Sequence, residues 1–135
     1  MREKLNRYGY NIASQDGEDG IIRYILDNVV DVPRICVEFG AYDGRFLSNT
    51  YALWHDGGWR GVLVEMNLPR FKKLERKYSD YELKLFNRKL MPTGPDSLDV
   101  LFMNNRIDPE IGVLSIDIDS YDYYIWKYLK SLLSN

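Results

Sequence analysis

Apolar residues recur along this chain in two rhythms. Ile21, Ile22, Ile25, Leu26 and Val29 keep the three- and four-residue spacing of a single helix face. Ile35-Cys36-Val37 and Val62-Leu63-Val64 are unbroken runs instead. The first rhythm predicts an amphipathic helix ending near Val29, and the runs predict strands buried on both faces, as in parallel sheets covered by helices. Asp16 is placed to cap that helix with Asp19 at its third position, and Glu18 and Asp19 suit the positive end of its dipole. Asp31-Val32-Pro33 breaks it. The polar, tyrosine-containing residues 1–13 before it form an arm or short helix laid on the domain.

The same alternation continues. Tyr51–His55 predicts a short helix stopped by Asp56-Gly57-Gly58, and Trp59–Glu65 a second strand. Asn67 caps the next helix, Pro69 sits in its first turn, and Phe71 and Leu74 point inward as the helix runs to Tyr78. Its basic outer face reads as solvated. Glu82–Phe86 is a weaker third strand, and Met91-Pro92-Thr93-Gly94-Pro95 a loop. Asp96 and Ser97 start a short helix to about Met103, Ile111–Ile118 is the fourth strand, and Asp119-Ser120 turns into a last helix, Tyr123–Leu133. Helices alternating with four strands predict an α/β fold, a Rossmann-like and mostly parallel sheet flanked by helices, because parallel strands need crossover connections. The whole is expected to be one domain, 1–135, with residues 1–13 as its N-terminal arm.

Composition narrows the class. At 135 residues, 45% apolar and 28% charged, the chain is globular and long enough for a real core. A net charge of -2 gives no electrostatic reason to expect nucleic acid. No apolar window approaches a membrane span, and the N-terminus lacks the apolar centre of a signal peptide. The single cysteine, Cys36, lies inside an apolar run, which excludes an internal disulfide and fits a cytoplasmic setting. As a mid-strand thiol it is expected to be inert. Trp54, Trp59 and Trp126 are expected to pack, and the lone histidine, His55, to stabilise a helix C-terminus rather than act as a base.

Candidate chemistry gathers at the carboxyl ends of strands. Arg34–Thr50 carries a strand ending in Glu38, then Gly40 and Gly44 at a spacing of four, then Ser48-Asn49-Thr50 before a helical segment. In an open α/β sheet such a loop lies where ligands bind. The spacing is not the G-x-G-x-x-G that approaches a pyrophosphate, which favours a nucleoside without phosphates. Glu65 closes the second strand 21 residues beyond Gly44, where an acid can accept hydrogen bonds from ribose hydroxyls; it can equally cap the following helix. Asp117, Asp119 and Asp122 cluster after the fourth strand. They can hold Mg²⁺ through oxygen ligands, or Asp119 or Ser120 can cap the last helix with Asp122 in its first turn. Ser14-Gln15-Asp16 can reach over the site as a lid or serve only as a cap.

VEFGAYDG, followed by SNT and GVLVEMN, resembles the first two motifs of class I S-adenosylmethionine-dependent methyltransferases. The likeness is closer to FkbM-type proteins, in which a Ser-Gln-x-Gly-Glu-Asp segment precedes the first strand; LSIDIDSYDYYIW also looks like theirs. The resemblance spans roughly residues 14–128. It implies that Glu38, Phe39, Gly40 and Ala41, with Gly44 in the same loop, cradle the methionine part of S-adenosylmethionine. It further implies that Glu65 holds the ribose, that Met66 lies against the adenine, and that Asn87 or Arg88 edges the base. Asp117, with Asp119, would face the methionine amino group or take the proton of an oxygen or nitrogen acceptor, which would be a small molecule or glycan. The family adds three strands beyond the fourth, so this sequence is expected to be a shortened version. Its fourth strand would be an exposed edge that a homodimer could cover. Two other readings stand beside methyl transfer: an inactive interaction module on the same fold, and a metal-dependent transferase or hydrolase using Asp117 and Asp119.

Overall fold

The computed structural model describes residues 2–129. Helices α1 (Arg2–Asn6), α2 (Glu18–Asn28), α3 (Leu68–Lys77), α4 (Leu98–Asn104) and α5 (Asp122–Tyr128) alternate with strands β1 (Ile35–Phe39), β2 (Arg60–Val64), β3 (Leu83–Phe86) and β4 (Val113–Ile116). The strands form one sheet in the order β3-β2-β1-β4, and every pairing is parallel. This is the α/β, Rossmann-like arrangement expected from the helix–strand alternation.

Side chains of β1 and β2 alternate between two cores, as the two-residue period of a strand requires. Cys36 and Leu63 face a core with Trp54, Trp59, Phe71, Leu74 and Tyr78, against which Ile22 and Leu26 of α2 pack. Val37, Phe39, Val62 and Val64 face the other, built with Leu98, Leu101, Phe102 and Ile125. That double burial is why both strands lack a polar alternate and appear in the sequence as continuous apolar runs.

Local expectations fare unevenly. Asn67 and Ser97 cap α3 and α4, each accepting the N–H three residues on, from Arg70 (3.1 Å) and Val100 (3.4 Å). Asp16 does not cap α2. The cap position belongs to Gly17 at φ 92, with no side-chain bond, while one oxygen of Asp19 turns back to accept the N–H groups of Ile12, Ala13 and Ser14. Asp19 therefore ties the arm down, which removes it from a capping box. Val29 lies just past α2 and is 65% exposed, so the apolar face stops at Leu26.

The segment after Thr50 is a single π-helical turn, Ala52–Asp56, ended at Gly57. It seats Trp54 edge-on to Tyr78 and stacks His55 on the rings of Tyr51 (4.5 Å) and Tyr81 (5.0 Å). β4 is shorter than its apolar run because only Val113–Ile116 pair with β1. Neither Asp119 nor Ser120 caps α5: Tyr121 occupies that position without a side-chain bond, and the Asp122 carboxylate accepts instead from the Ile118 N–H (3.2 Å). The helix ends at Tyr128 before the extended Leu129, and the part expected over 130–133 lies outside the described residues. Trp126 is 55% exposed and is not a core residue, unlike Trp54 and Trp59.

Candidate functional site

The sheet runs from β1 to β2 to β3 in one direction, and β4 then pairs on the other side of β1. The carboxyl ends of β1 and β4 thus flank the point where strand order reverses, the usual address of a ligand in an open α/β sheet. An open cleft of about 680 Å³ lies there, far larger than the 190 Å³ depression beside Arg88 and Pro95. Glu38, Phe39, Gly40, Glu65, Met66, Asp117 and Asp119 all line it, so the structure brings together most of the residues singled out in the sequence. Tyr42, Phe46, Leu47, Arg70, Arg88, Lys89 and Tyr121 line it as well.

Gly40 has φ 73, and a Cβ there would run into the carbonyl oxygen of Asp117. The glycine lets the chain leave β1 beside β4, with its N–H held by the Val64 carbonyl (3.0 Å). Gly44 serves a different surface. At φ 91 it lies against Leu74 and Tyr78, where a Cβ would stand 2.7 Å from Leu74 Cδ1, so it packs the loop on α3 and does not line the cleft. Ala41 is likewise buried in the core, its N–H bonded to Val64.

The two strand-end glutamates differ. Glu38 is enclosed, with Ser48 Oγ (2.6 Å) and Thr50 Oγ1 (2.7 Å) donating to one oxygen and the Asn49 N–H (2.8 Å) to the other. Burial pushes its carboxyl above the usual carboxylate range; the bonds from Ser48, Asn49 and Thr50 oppose that rise, and the Asp117 charge adds to it. Its geometry is that of an anchor for the Ser48–Thr50 turn. Glu65 is also buried, and accepts the Tyr42 N–H (2.7 Å) on one oxygen and the Asn67 N–H (2.8 Å) on the other. A carboxylate has about four acceptor sites, so each Glu65 oxygen keeps one for a ligand at the cleft wall.

Met66 is 61% exposed on the cleft, beside Glu65. Asn87 does not line the cleft; its amide donates to the carbonyls of Glu65 (2.9 Å) and Met66 (3.1 Å) and fixes the end of β2 against that of β3. Asp117 and Asp119 stand on the opposite wall, both mostly exposed, with Asp119 at φ 56. Partial burial raises the Asp117 pKa, and the charges of Asp119, Asp122 and Glu18 raise it further. Ser14-Gln15-Asp16 does not line the cleft. Ser14 is buried and exchanges bonds with Asp19, which ties that segment down as part of the arm. Among the described residues, no three of His, Cys, Asp or Glu stand together so as to hold a metal ion, the aspartates after β4 included. No helix among them is long and apolar enough to cross a membrane.

Sequence reasoning missed Tyr42, Phe46 and Arg70. The signal for Arg70 was its position: the first turn of α3 contains no acid, and a cation stands where the helix dipole disfavours one. No family model matches this chain, and no curated protein matches it.

Proposed function

We propose that the cleft binds S-adenosylmethionine and that the domain is a methyltransferase-like protein. The observation that carries this reading is the position of Glu65, a buried carboxylate at the end of the strand beside β1, with one acceptor site left on each oxygen, in a cleft at the point of strand reversal. A vicinal diol is a matching donor pair. Met66 offers apolar contact for a flat base, and the Gly40 turn leaves backbone rather than side chain against the cleft floor.

S-adenosylmethionine would supply a methyl group activated on a sulfonium sulfur. The protein's part is positioning, with Asp117 placed to face a cationic centre or to receive the acceptor's proton. The raised pKa of Asp117 moves it toward the range in which a carboxylate is a useful base. The test is calorimetry with S-adenosylmethionine and S-adenosylhomocysteine, followed by NMR of the complex. Binding with amide shifts at Gly40, Glu65 and Met66 supports the reading, and absence of binding by the wild-type protein ends it.

A second reading is an interaction module that keeps the fold without the reaction. It is favoured by β4, which among the described residues is the edge strand of the sheet and is only half-buried throughout. Light scattering decides it: a stable dimer supports this reading, and a monomer without cofactor binding leaves neither reading standing.

A further inference from the structure

The strand order sorts charge across the cleft. Asp117 and Asp119 follow β4 on one wall, while Arg70, Arg88 and Lys89 line the other, beyond the ends of β2 and β3, where the buried Glu65 is the acid on the same side. The three cations belong to one rim because Val64 pairs with Phe86 and the Asn87 amide ties the segment after β3 to the one after β2. The ion pairs among the described residues are Arg23–Asp27, His55–Asp56, Lys72–Glu75 and Lys77–Asp43, and none includes a cation of this rim. Arg70 is also held in place: its guanidinium lies 3.9 Å from the centre of the Tyr42 ring. All three are exposed side chains outside any of those ion pairs, and a bound anion would lower the repulsion among them.

A nucleoside sulfonium carries no phosphate. Its one oxyanion, the methionine carboxylate, belongs in this reading with the Gly40 loop at the end of β1, so the cations beyond β2 and β3 point to something else. We propose that Arg70, Arg88 and Lys89 form an oxyanion subsite that takes a phosphate, sulfate or carboxylate group of the acceptor, alongside the nucleoside. This inference rests on the cleft's reading as a nucleoside-cofactor site and specifies the acceptor class.

The test is an NMR titration with inorganic phosphate at constant ionic strength, on free protein and on protein saturated with S-adenosylhomocysteine. Phosphate is expected to shift the amides around Arg70, Arg88 and Lys89 in both samples. Its affinity is expected to fall about tenfold in Arg88→Ala/Lys89→Ala and to be unchanged in Lys72→Ala/Lys73→Ala, a control pair of exposed lysines on α3. The same titration with sulfate and acetate identifies which oxyanion fits, and binding of none of the three overturns the subsite. Equal weakening in both double variants overturns it as non-specific charge, and competition between phosphate and S-adenosylhomocysteine overturns its assignment to the acceptor. If S-adenosylhomocysteine binds and no oxyanion does, only the subsite fails. If an oxyanion binds and S-adenosylhomocysteine does not, the cofactor reading fails and the anion site stands.

Discussion

Gly40 and Asp117 meet backbone to backbone at the floor of the cleft, so closely that any side chain on residue 40 would collide with the Asp117 carbonyl. Gly58 has nearly the same φ (72 against 73), but a Cβ there would meet nothing within 4 Å. The pair separates conformational strain from contact. Gly58→Ala is expected to cost about 1–2 kcal/mol, the left-handed penalty alone. Gly40→Ala is expected to cost roughly 1–3 kcal/mol more for the overpacking. Urea denaturation of the two variants measures the difference, and equal losses would show that β1 and β4 can part at this point without cost.

Glu38 gives a pH signature. Because burial raises its folded pKa, the native state binds its proton more tightly than the unfolded chain does. The group's contribution is therefore fully present below the unfolded carboxylate pKa of about 4.3, and is lost as pH rises through the folded value. Asp117, also raised, acts in the same direction. Glu38→Gln removes a titrating group, so its denaturation midpoint relative to wild type should improve as pH rises from the acid side toward neutrality. A constant difference would mean that Glu38 titrates normally.

Removing the same carboxylate altogether strands three donors. Glu38→Ala leaves the Ser48 and Thr50 hydroxyls and the Asn49 N–H without their acceptor, two of the three in buried residues. A loss of about 3 kcal/mol or more is expected, read as a shifted thermal midpoint. Thr50→Val, which removes one donor and keeps the shape, should cost clearly less.

Cys36 is fully buried on β1, and burial, with the nearby Glu38 charge, pushes its thiol up to about 12. The folded protein should not react with a thiol reagent near neutral pH, and labelling should follow the unfolding transition as denaturant is added. Fast labelling under native conditions would contradict the burial.

Cofactor affinity should depend on Glu65 more than on any exposed acid of the cleft. Glu65→Gln keeps the size but replaces one acceptor with a donor, and binding of S-adenosylhomocysteine is expected to weaken about tenfold. Asp119→Asn should leave that affinity within about twofold. Calorimetry reads both, and a circular dichroism melt checks that the loop bonds to Tyr42 and Asn67 have not taken the fold with them.

The elements visible in the sequence were those with their own local physics. Val62-Leu63-Val64 is apolar because both faces of β2 are covered, and Asn67 and Ser97 cap helices through bonds spanning only three residues. What escaped depended on distant partners. Asp19 looked like a helix-start acid, yet it accepts from residues five to seven positions back in the arm. Gly44 shared the loop and the spacing of Gly40, but its neighbours are Leu74 and Tyr78, 30 and 34 residues on. Arg70 belonged to a basic stretch whose outer face is solvent, and only the folded placement of Tyr42 beneath it separates it from Lys72 and Lys73.

β1, like its neighbour β2, separates the two cores and has a partner along each edge. A compound seated at its carboxyl end rests on a position that exists only when both cores and both pairings are in place. Occupancy should thus be felt by the domain as a whole and not by one loop. At a hundred times the dissociation constant it would add about 2.7 kcal/mol to global stability. Amides of β1 and β2 on opposite faces of the sheet would then slow their exchange with solvent by the same factor.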